Sequence, residues 1–114
     1  MGDDARVKVM VVEDDPEIAI AIARKLKQDG HEYESTDDPV PVLGRLEAGT
    51  ADWDVMILDV GLPNISGIEV LKRFKEAGSP ISIIMLTGDQ TAATATECMR
   101  AGAFYYLTKP FRNH

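Results

Sequence analysis

The sequence predicts an α/β domain, a doubly wound five-stranded parallel sheet with helices on both faces. Two observations predict it. Strand-like runs and segments of helical periodicity alternate in the order β-α-β-α-β-α-β-α-β, and such alternation builds parallel strands joined by right-handed crossovers. Four of the runs are short and apolar and stop abruptly at turn or charged residues, as strands buried in a parallel sheet do.

The first run, Val7-Lys8-Val9-Met10-Val11-Val12, ends in Glu13-Asp14-Asp15. Asp15-Pro16 is a good helix start, because Asp15 can cap and Pro16 suits the first helical position. The helix is expected over 16–29 and stops at Gly30, with Ile18, Ala19, Ile22, Ala23 and Leu26 on one face. Arg24, Lys27 and Gln28 fall elsewhere, and Ile20 lies off the stripe as a weak hint of contact. Met1 to Arg6 read as a frayed start.

Glu32-Tyr33-Glu34-Ser35-Thr36 alternates and predicts a polar, edge-like strand. Asp37-Asp38-Pro39 opens a second helix, expected to about Ala48, with Pro41 in its tolerant first turn and Gly44 weakening it. The third strand, Val55-Met56-Ile57-Leu58, runs into Asp59. A loop over 62–67 leads to a third helix over 68–77, ended by Gly78, with Ile68, Leu71 and Phe74 on one stripe. The run Ile81-Ser82-Ile83-Ile84-Met85-Leu86 ends in Thr87-Gly88. A fourth helix over 91–100 is intrinsically weak because it holds three threonines, and Gly102 ends it. The last run, Ala103-Phe104-Tyr105-Tyr106-Leu107-Thr108, reads as a buried strand ending in Lys109-Pro110.

If these strands lie in one parallel sheet, Glu13, Asp14, Asp59, Thr87 and Lys109 converge just beyond its carboxyl edge, where open α/β sheets collect ligands. No folding requirement gathers acids, a hydroxyl and an ammonium there, so the convergence points to function. Composition narrows the class. At 114 residues the chain is one domain with its own core, and 45% apolar residues is ordinary for a globular protein. No apolar stretch reaches the ~20 residues of a membrane span, and no secretory pattern opens the chain. The single cysteine, Cys98, cannot form an internal disulfide, which fits a reducing cytoplasm; in its helix it reads as a space filler. A net charge of −7 argues against nucleic-acid binding by this domain. Trp53 and Tyr33 are assigned to packing, and His31 and His114 to the surface.

Four motifs now stand in order: Val-Val-Glu-Asp-Asp, Leu-Asp-Val-Gly-Leu-Pro-Asn-Ile-Ser-Gly around Asp59, Leu-Thr-Gly, and Ala-Gly-Ala-Phe-Tyr-Tyr-Leu-Thr-Lys-Pro-Phe. Together they resemble the receiver domain of bacterial two-component response regulators over nearly the whole of 1–114. The resemblance implies a flavodoxin-like fold with strand order 2-1-3-4-5. It implies that Asp59 is the phosphoacceptor, attacking a phosphoryl group held on a histidine of a partner kinase or phosphotransfer protein. Glu13 and Asp14, with Asp59 and the backbone carbonyl of Gly61, match the Mg²⁺ site. Oxygen-only ligands suit that hard cation, which would also relieve repulsion among the acids. Lys109 matches the lysine that pairs with the phosphoryl group, Thr87 the hydroxyl that binds a phosphoryl oxygen, and Tyr106 the aromatic that moves inward when Thr87 shifts. Lys109-Pro110 resembles the family's cis peptide bond. Asp15 reads as a cap in preference to a metal ligand. Such a domain catalyses its own phosphorylation and dephosphorylation but turns over no metabolite.

The sequence departs from the family in places. Ser66 stands where many members carry an acid. Gly61 and Asp89 occupy positions that tune phosphoryl lifetime; Gly61 has no side chain to orient or block water, whereas Asp89 could do either. Only Arg112, Asn113 and His114 follow Phe111, so the fifth helix of the family is expected to be missing and the domain truncated after its fifth strand. An uncovered sheet face would then favour self-association. The first helix and the loops around Asp59, where family kinases dock, should survive this, while the face of the fourth helix and last strand is compromised. An effector domain outside the chain is compatible with this reading. Three other functions were weighed against it. A degenerate receiver acting as a phosphorylation-independent binding module is opposed by the intact Asp59, Glu13, Asp14, Thr87 and Lys109. An aspartyl-nucleophile phosphatase would want an acid where Gly61 stands. A flavin-binding protein would want a phosphate-cradling loop after the first strand.

Overall fold

The computed structural model describes residues 7–89 and 91–109. The frayed start, the Lys109-Pro110 peptide bond, Phe111 and His114 lie outside the described residues. The elements run β1 (Lys8–Val12), α1 (Pro16–Gln28), β2 (Glu32–Thr36), α2 (Pro39–Ala48), β3 (Val55–Asp59), α3 (Gly67–Glu76), β4 (Ser82–Thr87), α4 (Ala92–Arg100) and β5 (Tyr105–Thr108). All pairings are parallel and the spatial order is β2-β1-β3-β4-β5. The order reverses between β1 and β3, the switch point at which doubly wound sheets place ligands. Among the described residues there are four helices and no helix long and apolar enough to cross a membrane.

Local chemistry sets the helix ends. The side chains of Asp15, Asp38 and Ser66 accept the backbone N–H of Glu17, Val40 and Ile68 at 2.9, 3.0 and 3.1 Å. Each cap satisfies one orphan donor and contributes about 1 kcal/mol. Ser66 is thus the N-cap of α3, which begins one residue earlier than expected, at Gly67. Gly30 and Gly78 end α1 and α3 at φ 81° and 72°, a left-handed conformation that costs glycine nothing.

The two faces of the sheet are covered unequally. On one face Met10, Val12, Met56, Leu58, Ile83 and Met85 pack with Val42 and Leu43 of α2, Val70, Leu71 and Phe74 of α3, and Cys98 of α4. Residues one step along each strand point the other way, toward α1. There Val9, Val11 and Leu86 are buried but Val55, Ile57 and Ile84 are only half-buried. The α1 stripe of Ile18, Ala19, Ile22, Ala23 and Leu26 faces inward as expected, yet none of it is fully buried. A groove of about 420 Å³ lies between Ile22 and Leu26 of α1 and Ile57, Leu86 and Leu107 of the sheet.

Three expectations need correction. The last apolar run does not form a buried strand: Phe104 is 68% exposed, Tyr105 55% and Leu107 38%. β5 is an edge strand with a neighbour on one side only, and α4 covers it on only one face. Tyr33 is exposed, because β2 is the opposite edge. His31 is half-buried and its Nδ1 accepts the Val7 N–H at 3.2 Å, so it ties the start of β1 to β2.

At the amino edge of the sheet, Trp53 is buried and donates its indole N–H to Glu34 Oε2 at 3.0 Å. The Arg45 guanidinium lies 4.4 Å above the ring and pairs with Glu34 and Asp52 at 3.0 and 3.1 Å. This closes the polar end of an aromatic side chain that burial alone would leave unsatisfied.

Candidate functional site

Hydrogen bonding past the strand ends holds the site. Beyond β1, the Glu13 N–H donates to the Thr36 carbonyl at 3.0 Å. Beyond β3, the Val60 N–H donates to the Leu86 carbonyl, and beyond β5 the Lys109 N–H to the Thr87 carbonyl, both at 2.8 Å. Asp59 and Thr87 are the last residues of β3 and β4, in register with Leu86 and Thr108 of their neighbours. Four strands thus bring their carboxyl ends level, and the side chains that follow meet.

They meet around Asp59. Glu13, Asp59 and Thr87 are each 2% exposed, whereas Asp14 is exposed. One carboxylate oxygen from each of Glu13, Asp14 and Asp59 lies within 4.8 Å of the others. Lys109 Nζ reaches between two of them, 2.9 Å from Glu13 Oε1 and 3.1 Å from Asp59 Oδ1. Asp59 Oδ1 also accepts the Gly61 N–H at 3.1 Å, and Glu13 Oε2 accepts the Asp15 N–H at 3.0 Å. Glu13 Oε1 is buried and, despite its ion pair with Lys109, receives no well-directed hydrogen bond.

The electrostatics follow from three acids facing one lysine. Burial, then the neighbouring Asp14, push the Asp59 carboxyl up to about 6, against the lowering effect of the Gly61 N–H and Lys109. Asp14 is held below the usual carboxylate range, chiefly by the hydrogen bond it accepts from Asp59. The two acids influence each other, so that as pH falls Asp59 takes up a proton before Asp14 does. Burial works to lower the Lys109 ammonium, but its two carboxylate partners outweigh that and raise it. A hard cation fits this donor set: the ligands are all oxygen, one buried oxygen lacks a hydrogen bond, and the excess negative charge is otherwise relieved only by taking up protons.

Thr87 is at the site but its hydroxyl is engaged with its own loop, accepting the Asp89 N–H at 2.9 Å and donating to the Asp89 carbonyl at 3.4 Å. The Asp89 side chain is engaged in the same loop. Its carboxylate accepts the Thr91 N–H at 2.9 Å and the Thr94 hydroxyl at 2.6 Å. Tyr106 is half-buried against the core on β5, paired with Met85 of β4 two residues before Thr87. Asp15 caps α1 and brings only its N–H to Glu13.

Sequence reasoning missed Gly67. A Cβ there would run into the Asp59 carbonyl oxygen and lie 2.8 Å from its carbonyl carbon and 2.9 Å from Val60 Cα. The Gly67 N–H donates to the Val60 carbonyl at 2.9 Å, so the start of α3 is pressed against the backbone that carries the central carboxylate. The signal was a glycine placed directly after a capping serine, where a helix would ordinarily tolerate any residue.

Comparison with known proteins adds to this geometry. A family model described as the response regulator receiver domain matches residues 9–114. The transcriptional regulatory protein TcrA of Mycobacterium tuberculosis is 34% identical over 110 residues, covering 96% of this chain and 43% of TcrA. The chain thus spans less than half the length of that relative. Among solved structures, the receiver domain of Francisella response regulator 1452 superposes with a TM-score of 0.84 at 29% identity, covering 93% of this chain and 86% of that one. Vibrio cholerae chemotaxis protein CheY4 superposes with a TM-score of 0.82 at 31% identity, covering 95% and 90%.

Proposed function

The chain belongs to the response regulator receiver domain family, and from that premise we propose that it takes a phosphoryl group onto Asp59 and changes its protein contacts in response. The observation that carries this reading is the placement of Lys109 Nζ between Glu13 and Asp59, with Asp14 completing a cluster of three carboxylates. Folding alone has no use for two buried acids beside a third.

An Asp59 carboxylate oxygen attacks phosphorus. The bond from phosphorus to a histidine nitrogen of the donor breaks, its electron pair returns to the imidazole, and an acyl phosphate forms. Glu13, Asp14 and Asp59, with the Gly61 carbonyl, would hold Mg²⁺, which supplies neutralisation of the carboxylates and of the transferring phosphoryl charge. The Gly61 N–H and Lys109 orient Asp59 Oδ1 before transfer. Lys109 then pairs with a phosphoryl oxygen, and the Thr87 hydroxyl turns to another, drawing Tyr106 inward and carrying a local charge change to the β4–β5 surface. Water later hydrolyses the acyl phosphate. Positioning and charge stabilisation are most of what phosphoryl transfer needs, and these side chains provide both.

The donor is a sensor histidine kinase or a histidine phosphotransfer protein, and the setting the cytoplasm, where Cys98 stays reduced. The greater length of relatives such as TcrA, a transcriptional regulatory protein by name, supports an effector domain as a further partner. Intact mass after incubation with phosphoramidate tests the reading. The expected result is one added phosphoryl group, dependent on Mg²⁺ and absent from Asp59→Asn. Retention of the added mass in that variant would place the acceptor elsewhere.

A further inference from the structure

We propose that Thr94 is a positioning residue for phosphoryl recognition: through Asp89, its hydroxyl holds Thr87 in the arrangement that precedes contact with the phosphoryl group. This rests on the reading of Asp59 as phosphoacceptor and deepens it.

The connection is continuous. The Thr87 hydroxyl makes both of its hydrogen bonds to the Asp89 backbone. Asp89 is fixed in turn by its carboxylate, one oxygen on the Thr91 N–H and the other on the Thr94 hydroxyl. The Thr91 hydroxyl donates on to Thr94 Oγ1 at 3.5 Å, and the Thr94 N–H donates to Thr91 Oγ1 at 3.4 Å. At 2.6 Å the Thr94–Asp89 bond has the length of a charge-assisted hydrogen bond. Its location at the start of α4 also favours a negative charge.

Thr94 is the third residue of α4, in its first turn, so no carbonyl of its own helix lies four residues back for its hydroxyl as one would in a helix interior. Here it reaches out of α4 to a side chain on the loop that follows the Thr87 strand. Thr91 caps the helix and Thr94 lies in its first turn, so that turn is held in part by these hydroxyl contacts. The bond therefore works in two directions. It stabilises α4, and it pins the backbone group that occupies the Thr87 hydroxyl.

Thermodynamic linkage gives the consequence. A phosphoryl group that draws Thr87 off the Asp89 N–H must disturb Asp89, and Asp89 resists by its hold on Thr94. Any change that weakens this hold leaves less to displace and tightens phosphoryl recognition by the same factor. Mg²⁺ binding alone, which uses the three carboxylates and the Gly61 carbonyl and none of these hydroxyls, is not coupled to it.

The test uses beryllofluoride with Mg²⁺ as the phosphoryl mimic, its binding followed by fluorine NMR. Thr94→Val keeps the shape of the side chain and removes the hydroxyl; it should bind the mimic about three- to tenfold more tightly, the range set by the net worth of one ordinary hydrogen bond. Thr94→Ser should return to the wild-type affinity. Asp89→Ala breaks the same bond from the other side and should give a similar gain, with no further gain in the double variant. Mg²⁺ affinity measured alone should not move in any of them. Thr94→Val binding no more tightly than wild type, Thr94→Ser behaving like Thr94→Val, or a matching shift in Mg²⁺ affinity would each overturn the proposal. If Thr94→Val does not fold, Asp89→Ala decides in its place. Wild-type protein that binds Mg²⁺ but neither beryllofluoride nor a phosphoryl group would instead remove the phosphoacceptor reading itself, a result visible before any variant is made.

Discussion

Lys109 Nζ lies 3.1 Å from Asp59 Oδ1, fifty residues away in the chain, and it is the cation that lets a carboxylate stay buried there. Removing it leaves Glu13 and Asp59 facing each other without compensation. Lys109→Met should destabilise the metal-free protein by about 3 kcal/mol at neutral pH, as expected when one partner of a buried ion pair is deleted. The deficit should shrink toward pH 5, where the Asp59 carboxyl takes up a proton. Urea unfolding at both pH values checks this, and an equal deficit at each would show that the lysine acts by packing alone.

The Asp59 carboxyl is raised from 3.8 to about 6, so between those values the folded protein binds more protons than the unfolded chain. Stability then falls as pH rises through that window. The contribution is fully present below about 3.8 and is lost above about 6. Asp14, lowered in the folded state, opposes this at the acid end, where its own contribution is lost as pH falls. Asp59→Asn cannot ionise, so in chelator it should be more stable than wild type at pH 7.5 by about 1–3 kcal/mol. The advantage should vanish near pH 4. Denaturant titrations across this range measure it, and a pH-independent difference would contradict the assignment.

Metal should stabilise the wild type by mass action. At a Mg²⁺ concentration ten times its Kd the gain is about 1.4 kcal/mol. Asp14 is exposed and supports no core, so Asp14→Asn should fold normally but lose most of that gain. Thermal unfolding of both proteins with Mg²⁺ and with chelator gives the comparison. An Asp14→Asn variant as responsive as wild type would exclude Asp14 from the metal site.

Gly67→Ala tests the close approach of α3 to the β3 end. The added methyl group meets backbone, which cannot rotate aside. A loss of about 1–3 kcal/mol is expected from this overpacking, together with slower phosphorylation as Asp59 is displaced. Ala at Gly61 should fold normally, since its Cβ would sit 3.9 Å from Asp59 Oδ1. Circular dichroism melts of the two variants separate a steric requirement from a general dislike of alanine in this loop.

Much of this was legible in the sequence because its punctuation is local. Asp15-Pro16, Asp38-Pro39 and Gly30 mark helix ends through contacts with residues two to four positions away. Glu13, Asp59, Thr87 and Lys109 could be named because strand ends in a parallel sheet must converge. The rest depends on pairs distant in sequence or on coverage. No pattern in Ala103 to Thr108 reveals that β5 has a neighbour on one side only. Nothing near Asp89 says that its carboxylate is spent on Thr94 instead of turned to the site, and nothing near Gly67 announces the backbone of Asp59 against it.

Trp53 lies two residues before β3, while the acids gather beyond the other end of that strand, a strand length of roughly 17 Å away. As the sole tryptophan, buried under Arg45 and tied to Glu34, it is an optical probe built into the quiet end of the molecule. Its emission will follow global unfolding and stay blind to events at the acidic edge. The same cuvette can therefore report how firmly the scaffold holds together without being confused by what is bound to it.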